Sequence, residues 1–422
     1  MKYFFVFFLF INASIFAQIP TEPKDPAVKD SFFNQTKAAP QGEKVKLIHS
    51  DTFGIVKGKY DDNPFFAGNV QFLHQGSTLT ADEVIFYREQ NFVKAIGNVK
   101  LQNADGSVIT SGEMEYDGNT QKGIARKNVV LTDPGQTIKT EILYYDRVSN
   151  NAYFNTGGTI AKDGNVMYTK SANYDLNSRI IDFTGNVKID NAEYTVEGVN
   201  IVQNQNTNTA TFNGPTTITN KKNPSNLIYT EKGNYNMNSK EVYLKKNSRI
   251  HYNDKILTGD DLYFNQITGF GTGKGNVTLR DTKEKRYMKG GYGEIYEKKD
   301  SAMMTDKPYA VKILEKDSMY FSAEKLLAYQ KIDSTNPLKK KSFLRAYKKA
   351  RMFKTNIQLR TDSLSFNETD GIMHLNGNPI AWSDEKQVTG DKIEAYFDTE
   401  KEYIDSLRVI GNAFAISKAD SL

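Results

Sequence analysis

The chain lacks cysteine altogether, so it can build no disulfide scaffold, iron–sulfur cluster, thiolate zinc site or cysteine nucleophile. Histidine occurs only four times, as His49, His74, His251 and His374, scattered and without metal-ligand spacing. No metal site and no cofactor is therefore expected. Tryptophan appears once and proline 11 times in 422 residues. Charge of one sign is also scarce: 55 Lys and Arg against 50 Asp and Glu give a formal +5. Nucleic-acid binders usually concentrate a basic face, so no nucleic-acid partner is expected. What is abundant is 24 Tyr, 25 Phe, 30 Gly and 38 Asn. Aromatic residues favour strands, and Asn and Gly favour tight turns. That composition argues against an α/β enzyme and for a long series of strands.

Apolar runs are confined to the N-terminus, where Met1-Lys2 precedes a stretch from Tyr3 through Ala17. One early positive charge, a short apolar run and a small residue before Gln18 describe a secretory signal peptide over residues 1–17. The run is shorter than the roughly 20 residues that span a bilayer. An exported protein is the expectation. Residues 18–44 hold four of the 11 prolines and no sustained periodicity, which reads as a linker.

The informative feature is repetition. Gly68-Asn69-Val70-Gln71-Phe72 recurs as Gly97-Asn98-Val99-Lys100-Leu101, Gly185-Asn186-Val187-Lys188-Ile189 and Gly275-Asn276-Val277-Thr278-Leu279. Weaker copies begin at Lys127, Gly158, Gly214, Gly377 and Gly411. Steps between copies are 29 or 30 residues, or about twice that, and Tyr87, Tyr116, Tyr145 and Tyr174 run in phase at intervals of 29.

Within one unit, Val99 and Leu101 alternate with Asn98, Lys100 and Gln102, the period-two pattern of a half-buried strand. Ala104-Asp105-Gly106 is a hairpin turn. Val108, Thr110, Met114 and Tyr116 resume the alternation, with Gly112 placed for a bulge. Asp117-Gly118-Asn119 makes a second turn, followed by a short strand through Gly123-Ile124-Ala125. Such a unit cannot bury its apolar face alone, so stacked neighbours must complete the core. The fold class is all-β: an elongated stack of antiparallel repeats of about 30 residues. At about 4.8 Å per strand, and one to one and a half strands per sheet per unit, a dozen units would span roughly 60–90 Å.

Sharper motifs dissolve on inspection. Gly269-Phe270-Gly271-Thr272-Gly273-Lys274-Gly275 has neither the Gly spacing nor the Ser or Thr of a phosphate loop, and reads as a repeat-boundary turn. Asp82-Glu83 and Asp260-Asp261 are adjacent on strands, so their carboxylates point to opposite faces and make no acid–base pair. No enzymatic activity is expected. The one concentration of charge is Lys339, Lys340, Lys341, Arg345, Lys348, Lys349 and Arg351, where the repeat spacing stretches. It reads as a stretch that includes an inserted loop, either simply solvated or in contact with anionic lipid.

The alternation of Gly-Asn-Val with Gly76 and Thr80-Ala81-Asp82 up to Tyr87 resembles the OstA-like (organic-solvent-tolerance-like) repeats of lipopolysaccharide transport proteins. The likeness is clear over residues 45–300 and fainter over a second, more divergent β region, 301–422. It implies a periplasmic protein, an open β-jellyroll whose apolar trough holds the acyl chains of lipid A. By that likeness the trough-lining residues would be Val70, Phe72, Val84, Phe86, Val99, Leu101, Met114, Tyr116, Val129, Leu131, Leu143, Tyr145, Val187 and Ile189. It further implies edge-strand pairing with an outer-membrane translocon and inner-membrane export components, or head-to-tail self-association. Two rival readings share the pattern: an exported structural or adhesive repeat protein with a filled core, and a soluble assembly partner of an outer-membrane translocon.

Overall fold

A computed structural model describes residues 43–383 and 386–417. The signal peptide and nearly all of the linker lie outside the described residues. Nearly everything described is antiparallel strand, joined in a single hydrogen-bonded succession of 34 elements from Lys46–His49 to Phe414–Ser417.

The Gly-Asn-Val motif explains how one succession makes two sheets. In Phe92–Gln102, Gly97 and Asn98 both take positive φ, 78° and 41°, and the register with the partner strand slips between Ile96 and Val99. Two left-handed residues in a row fold the strand at its middle. The same corner recurs at Gly68-Asn69, Gly185-Asn186, Gly275-Asn276, Gly377-Asn378 and Gly411-Asn412, and without glycine at Lys127-Asn128, Lys246-Asn247 and Lys348-Lys349. Each folded strand thus gives one half to each of two facing sheets, and the corners stack into a spine. Ten pairs among the 34 elements, such as Asn151–Phe154 with Gly158–Lys162, are the two halves of one interrupted path. That leaves 24 folded strands, and at about 4.8 Å each the stack is roughly 110 Å long.

Two sequence expectations are corrected here. The short strand through Gly123-Ile124-Ala125 and the strand after it are one element, Lys122–Asp133, folded at Lys127-Asn128. A unit of 29 residues therefore supplies two strands to each sheet, which lengthens the stack beyond the expected span. Likewise Gly269 sits in a turn, but Gly275 is a corner inside Phe270–Asp281.

The corner also explains the Thr-Ala-Asp phrase. Asn98 Nδ2 donates to Asp82 Oδ2 at 2.9 Å, Asn69 Nδ2 to Asp51 Oδ2 at 2.8 Å and Asn276 Nδ2 to Asp260 Oδ2 at 2.9 Å. These carboxylates tie a corner to the neighbouring strand, which leaves them a structural task. A Cβ on Gly97 would strike the Asp82 side chain, and the residue holds φ +78°. Gly97→Ala is therefore expected to cost about 1–2 kcal/mol, read as a lower urea midpoint with an unchanged slope.

At the hairpin turns, asparagines stack from one repeat to the next. Asn91 Nδ2 donates to Asn119 Oδ1 at 3.2 Å, Asn150 to Asn177 at 3.0 Å and Asn208 to Asn238 at 2.8 Å. This ladder and the corners together give many of the asparagines a structural task.

The inward residues form two apolar clusters, one from Val45 to Phe212 and one from Val242 to Phe397, with Tyr235 packed against both. Val99 and Leu101 are buried and Lys100 is exposed, as the alternation requires. The basic stretch holds no inserted loop: it lies within one 19-residue strand, Asn336–Lys354, paired with Lys325–Asp333 and Ile357–Asn367. Both ends of the stack are single-sided. Among the described residues, Lys46–His49 and Thr52–Gly54 pair only with Phe65–His74, and Phe414–Ser417 pairs only with Lys386–Thr389.

Candidate functional site

Opposite the spine, the two sheets end in rims of hairpin turns, and the interior opens or closes according to what joins those rims. Near the first end the rims are stitched. Arg147, in a turn of one sheet, donates through Nη2 to the carbonyl oxygen of Gln75 on the other at 2.5 Å. Arg179 pairs with the buried carboxylate of Asp133, which also accepts from the Tyr174 hydroxyl at 2.7 Å. Burial, with the Asp175 charge, pushes the Tyr174 phenol well above its usual range, so it stays a donor. Gln205 Nε2 then donates to Gln136 Oε1 at 2.6 Å, and Gln205 Oε1 accepts from Lys162 Nζ at 3.0 Å.

Farther along, the rims part around a cleft of about 100 Å³. Leu279, Met288, Ile295, Ala302, Ala310, Phe321, Ala328 and Leu344 line it. A second hollow of about 400 Å³, within the range of roughly 300–1,000 Å³ that ligand pockets occupy, adjoins it, sharing Leu279, Ile295, Lys255 and Gln330 and adding Phe264 and Ile250. Inward residues here, such as Phe264, Leu279, Ile295 and Ala328, are only partly buried, whereas their counterparts Val93, Leu131 and Leu143 in the first half are sealed. Small side chains make the space: Ala302 faces Ala328 directly across two strands, and Gly271 faces both Phe264 and Ile295.

The mouth is charged. Arg286 Nη1 meets Glu368 Oε2 at 2.8 Å, Lys312 Nζ meets the same oxygen at 3.4 Å, and Arg286 Nη2 lies 3.6 Å from Asp281. Arg286 and Lys312 come from one rim and Glu368 from the other. The guanidinium of Arg286 is held charged by Glu368 and Asp281 against the cost of its burial. On the adjoining hollow, Tyr252 and Glu297 also meet across the rims, and that bond raises the Tyr252 phenol.

The sequence-derived trough residues lie elsewhere. Val70, Phe72, Val84, Val99, Leu101, Met114, Tyr116, Val129, Leu131, Leu143, Tyr145 and Val187 are buried in the closed first half, with Phe86 and Ile189 packed against them. The structure brings them together as one continuous interior. The basic residues are dispersed along their strand. Lys340 pairs with Asp300 at 2.5 Å, Lys341 with Asp370 at 2.7 Å and Lys349 with Glu324 at 2.7 Å, while the Arg345 guanidinium lies 5.4 Å from the Tyr329 ring. Alternation alone does not mark the cleft residues, because it matches that of the filled half. The available signal was the run of small residues at inward positions: Gly271, Gly273, Ala302, Ala310 and Ala328. Among the described residues no cluster of His, Asp or Glu could hold a metal ion.

One histidine is built into the stitched end. His74 Nδ1 lies 2.8 Å from the Tyr116 hydroxyl and Nε2 lies 2.7 Å from the Glu43 carbonyl oxygen, an arrangement suited to a neutral ring. Burial lowers its affinity for a proton, the Glu43 carbonyl partly opposes this, and the nearby Arg147 charge adds to the lowering. The unfolded chain, with a pKa near 6.5, then binds more protons than the folded one. The stability contributed is present above about pH 6.5 and lost as pH falls through the folded value. Between pH 7 and pH 5 wild type is expected to lose stability more steeply than His74→Gln in parallel urea titrations. Equal slopes would remove His74 from the pH dependence.

No curated protein matches the chain. Residues 42–198 match the protein family described as OstA-like protein, a segment that covers most of the stitched half. At that level the match supports a role of the lipopolysaccharide-transport type, with interactions of the same kind, in a family that binds and carries and is not enzymatic. Over residues 42–198, the chain is similar to the OstA-like family.

Proposed function

We propose that the protein carries or bridges lipopolysaccharide through the periplasm towards the outer membrane, taking acyl chains into the interior at the cleft between residues 255 and 344. The observation that carries this reading is the cleft itself: an apolar interior, half-open to solvent, beneath a rim with cationic side chains. Each methylene moved from water into such a space contributes about 0.8 kcal/mol. The buried row from Val70 to Ile189 would extend the path once the stitched rims separate. Because every repeat offers similar burial, a chain can slide without meeting a deep trap. Direction must then come from an energised partner.

The test is whether purified full-length protein retains lipid A through purification, and whether lipopolysaccharide displaces a lipophilic fluorophore from it. Retention and displacement are expected. A lipid-free protein that never takes up the fluorophore would instead favour a structural repeat protein, the second reading. The sealed interior of the first half supports that alternative.

The ends suit strand addition. Leu47, Ile48 and Phe53 are exposed at one end, Phe414 and Ile416 at the other, on strands with one free edge each. Pairing across such edges would align two interiors, either of two copies or of this chain with translocon or export components. A proline at Ile48 or Phe414 removes a ladder donor. Either change is expected to weaken association in sedimentation or crosslinking while most repeats stay folded. A strictly monomeric wild type that captures no partner from membranes would contradict a bridge. The exposed Lys339, Lys348 and Arg351 would add contact with anionic lipid surfaces.

A further inference from the structure

The charged group at the mouth of the cleft is the least explained feature of the described residues, and its geometry is that of a removable plug. The Glu368 carboxylate reaches from one rim to two cations on the other, Arg286 at 2.8 Å and Lys312 at 3.4 Å. Its turn is fixed independently of that bridge, because the Glu368 N–H donates to the Ser342 carbonyl oxygen at 2.9 Å and the Thr369 hydroxyl accepts from the Ser342 N–H at 2.9 Å. The bridge can therefore be released without unravelling the turn. Arg286 keeps a second carboxylate, Asp281 at 3.6 Å, when Glu368 leaves. Lys312 has no other ion pair within 4 Å among the described residues. The cations sit directly over an apolar cavity whose walls include Met288, Ala310 and Leu344.

We propose that Glu368 is a competitive plug: the phosphate of a phosphate-bearing amphiphile exchanges with its carboxylate on Arg286 and Lys312, and the exchange releases the rims above the cleft. This rests on the reading of the cleft as an acyl-chain site. Guanidinium binds phosphate and carboxylate with the same bidentate geometry, so the two anions compete for one position. A phosphate carries more charge than the carboxylate it replaces, and the chains attached to it fill the cavity beneath. Inorganic phosphate carries the charge but brings no chains to fill the cavity, so it does not hold the rims apart. Selection of phosphorylated over neutral amphiphiles would follow, because only the former break the bridge.

The absence of cysteine allows a direct test. Lys283→Cys and Ser334→Cys place one spin label on each rim, at exposed turns beside the cleft. In otherwise wild-type full-length protein the inter-label distance is expected to lengthen with phosphorylated lipid A. It should not lengthen with inorganic phosphate. Glu368→Gln should lengthen or broaden it with no ligand present, and should tighten binding of dephosphorylated lipid A by roughly three- to tenfold. Arg286→Gln with Lys312→Gln should abolish the preference for the phosphorylated form while dephosphorylated lipid A still binds. If both lipids bind wild type equally and Glu368→Gln alters neither affinity nor distance, the plug is refuted and the cleft stands. If inorganic phosphate alone opens the rims, the site is one for free anions and the plug is again refuted. If neither lipid binds any variant, the carrier reading itself fails.

Discussion

Leu143→Asp is expected to destroy cooperative folding of the first half of the protein, whereas Lys100→Asp leaves it intact. Leu143 is 1% exposed within the stitched interior, among Val129, Leu131 and Tyr145. A carboxylate there would have no partner in an apolar surrounding, and the lost leucine would leave a void besides. Cavity and desolvation together amount to more than about 4 kcal/mol, a large part of the stability of any domain. Each repeat leans on its neighbours, so damage should spread to adjacent strands before it reaches the far cluster. Lys100 is exposed on the outer face of the facing sheet. Its replacement changes one solvated charge and should stay within about 0.5 kcal/mol. Hydrogen exchange resolved by segment distinguishes the two: residues near Leu143 should lose protection in the first variant only. Equal tolerance of both changes would mean that the inward and outward faces are assigned the wrong way round.

The other large effect concerns the cleft. Ala302 and Ala328 face each other across paired strands and both line the cavity. Ala302→Phe with Ala328→Phe would fill the hollow with two rings. Overpacking a tight core costs typically 1–3 kcal/mol, but here the space already exists, so thermal stability should change little. Uptake of lipid A or a lipophilic fluorophore should fall by about tenfold or more, equivalent to at least ~1.4 kcal/mol. A double variant that melts normally and binds normally would show that acyl chains do not occupy this space.

Local features were legible in the sequence and non-local ones were not. The facing of Val99 and Leu101 against Lys100, the hairpin at Ala104-Asp105-Gly106 and the bulge near Gly112 follow from short-range pattern, and the structure holds all three. The 29-residue period correctly marked one structural unit. At Gly275 that pattern reads as a boundary turn where the strand has a corner, because two left-handed residues look the same in a turn as in a corner. What distinguishes them is the carboxylate on the neighbouring strand, such as Asp82 for Asn98, 16 positions away. The cleft was less legible still. Alternation at Leu279 and Ile295 is that of Leu131 and Leu143, and openness depends on whether rims meet. Those meetings join residues as distant as Arg147 and Gln75, or Arg286 and Glu368, 82 positions apart. The stretched spacing around Lys339–Arg351 suggested a loop because a 19-residue strand exceeds the usual length of such elements.

The central claim, that acyl chains enter between the rims at the cleft, is tested most directly by site-specific photocrosslinking in cells. A photoreactive phenylalanine analogue at Ile295 or Leu279 is expected to give an adduct with lipopolysaccharide on irradiation. The same analogue at Tyr243, exposed on the outer face, should give none. Adducts at Tyr243 equal to those at Ile295 and Leu279, or none at any of the three, would contradict it.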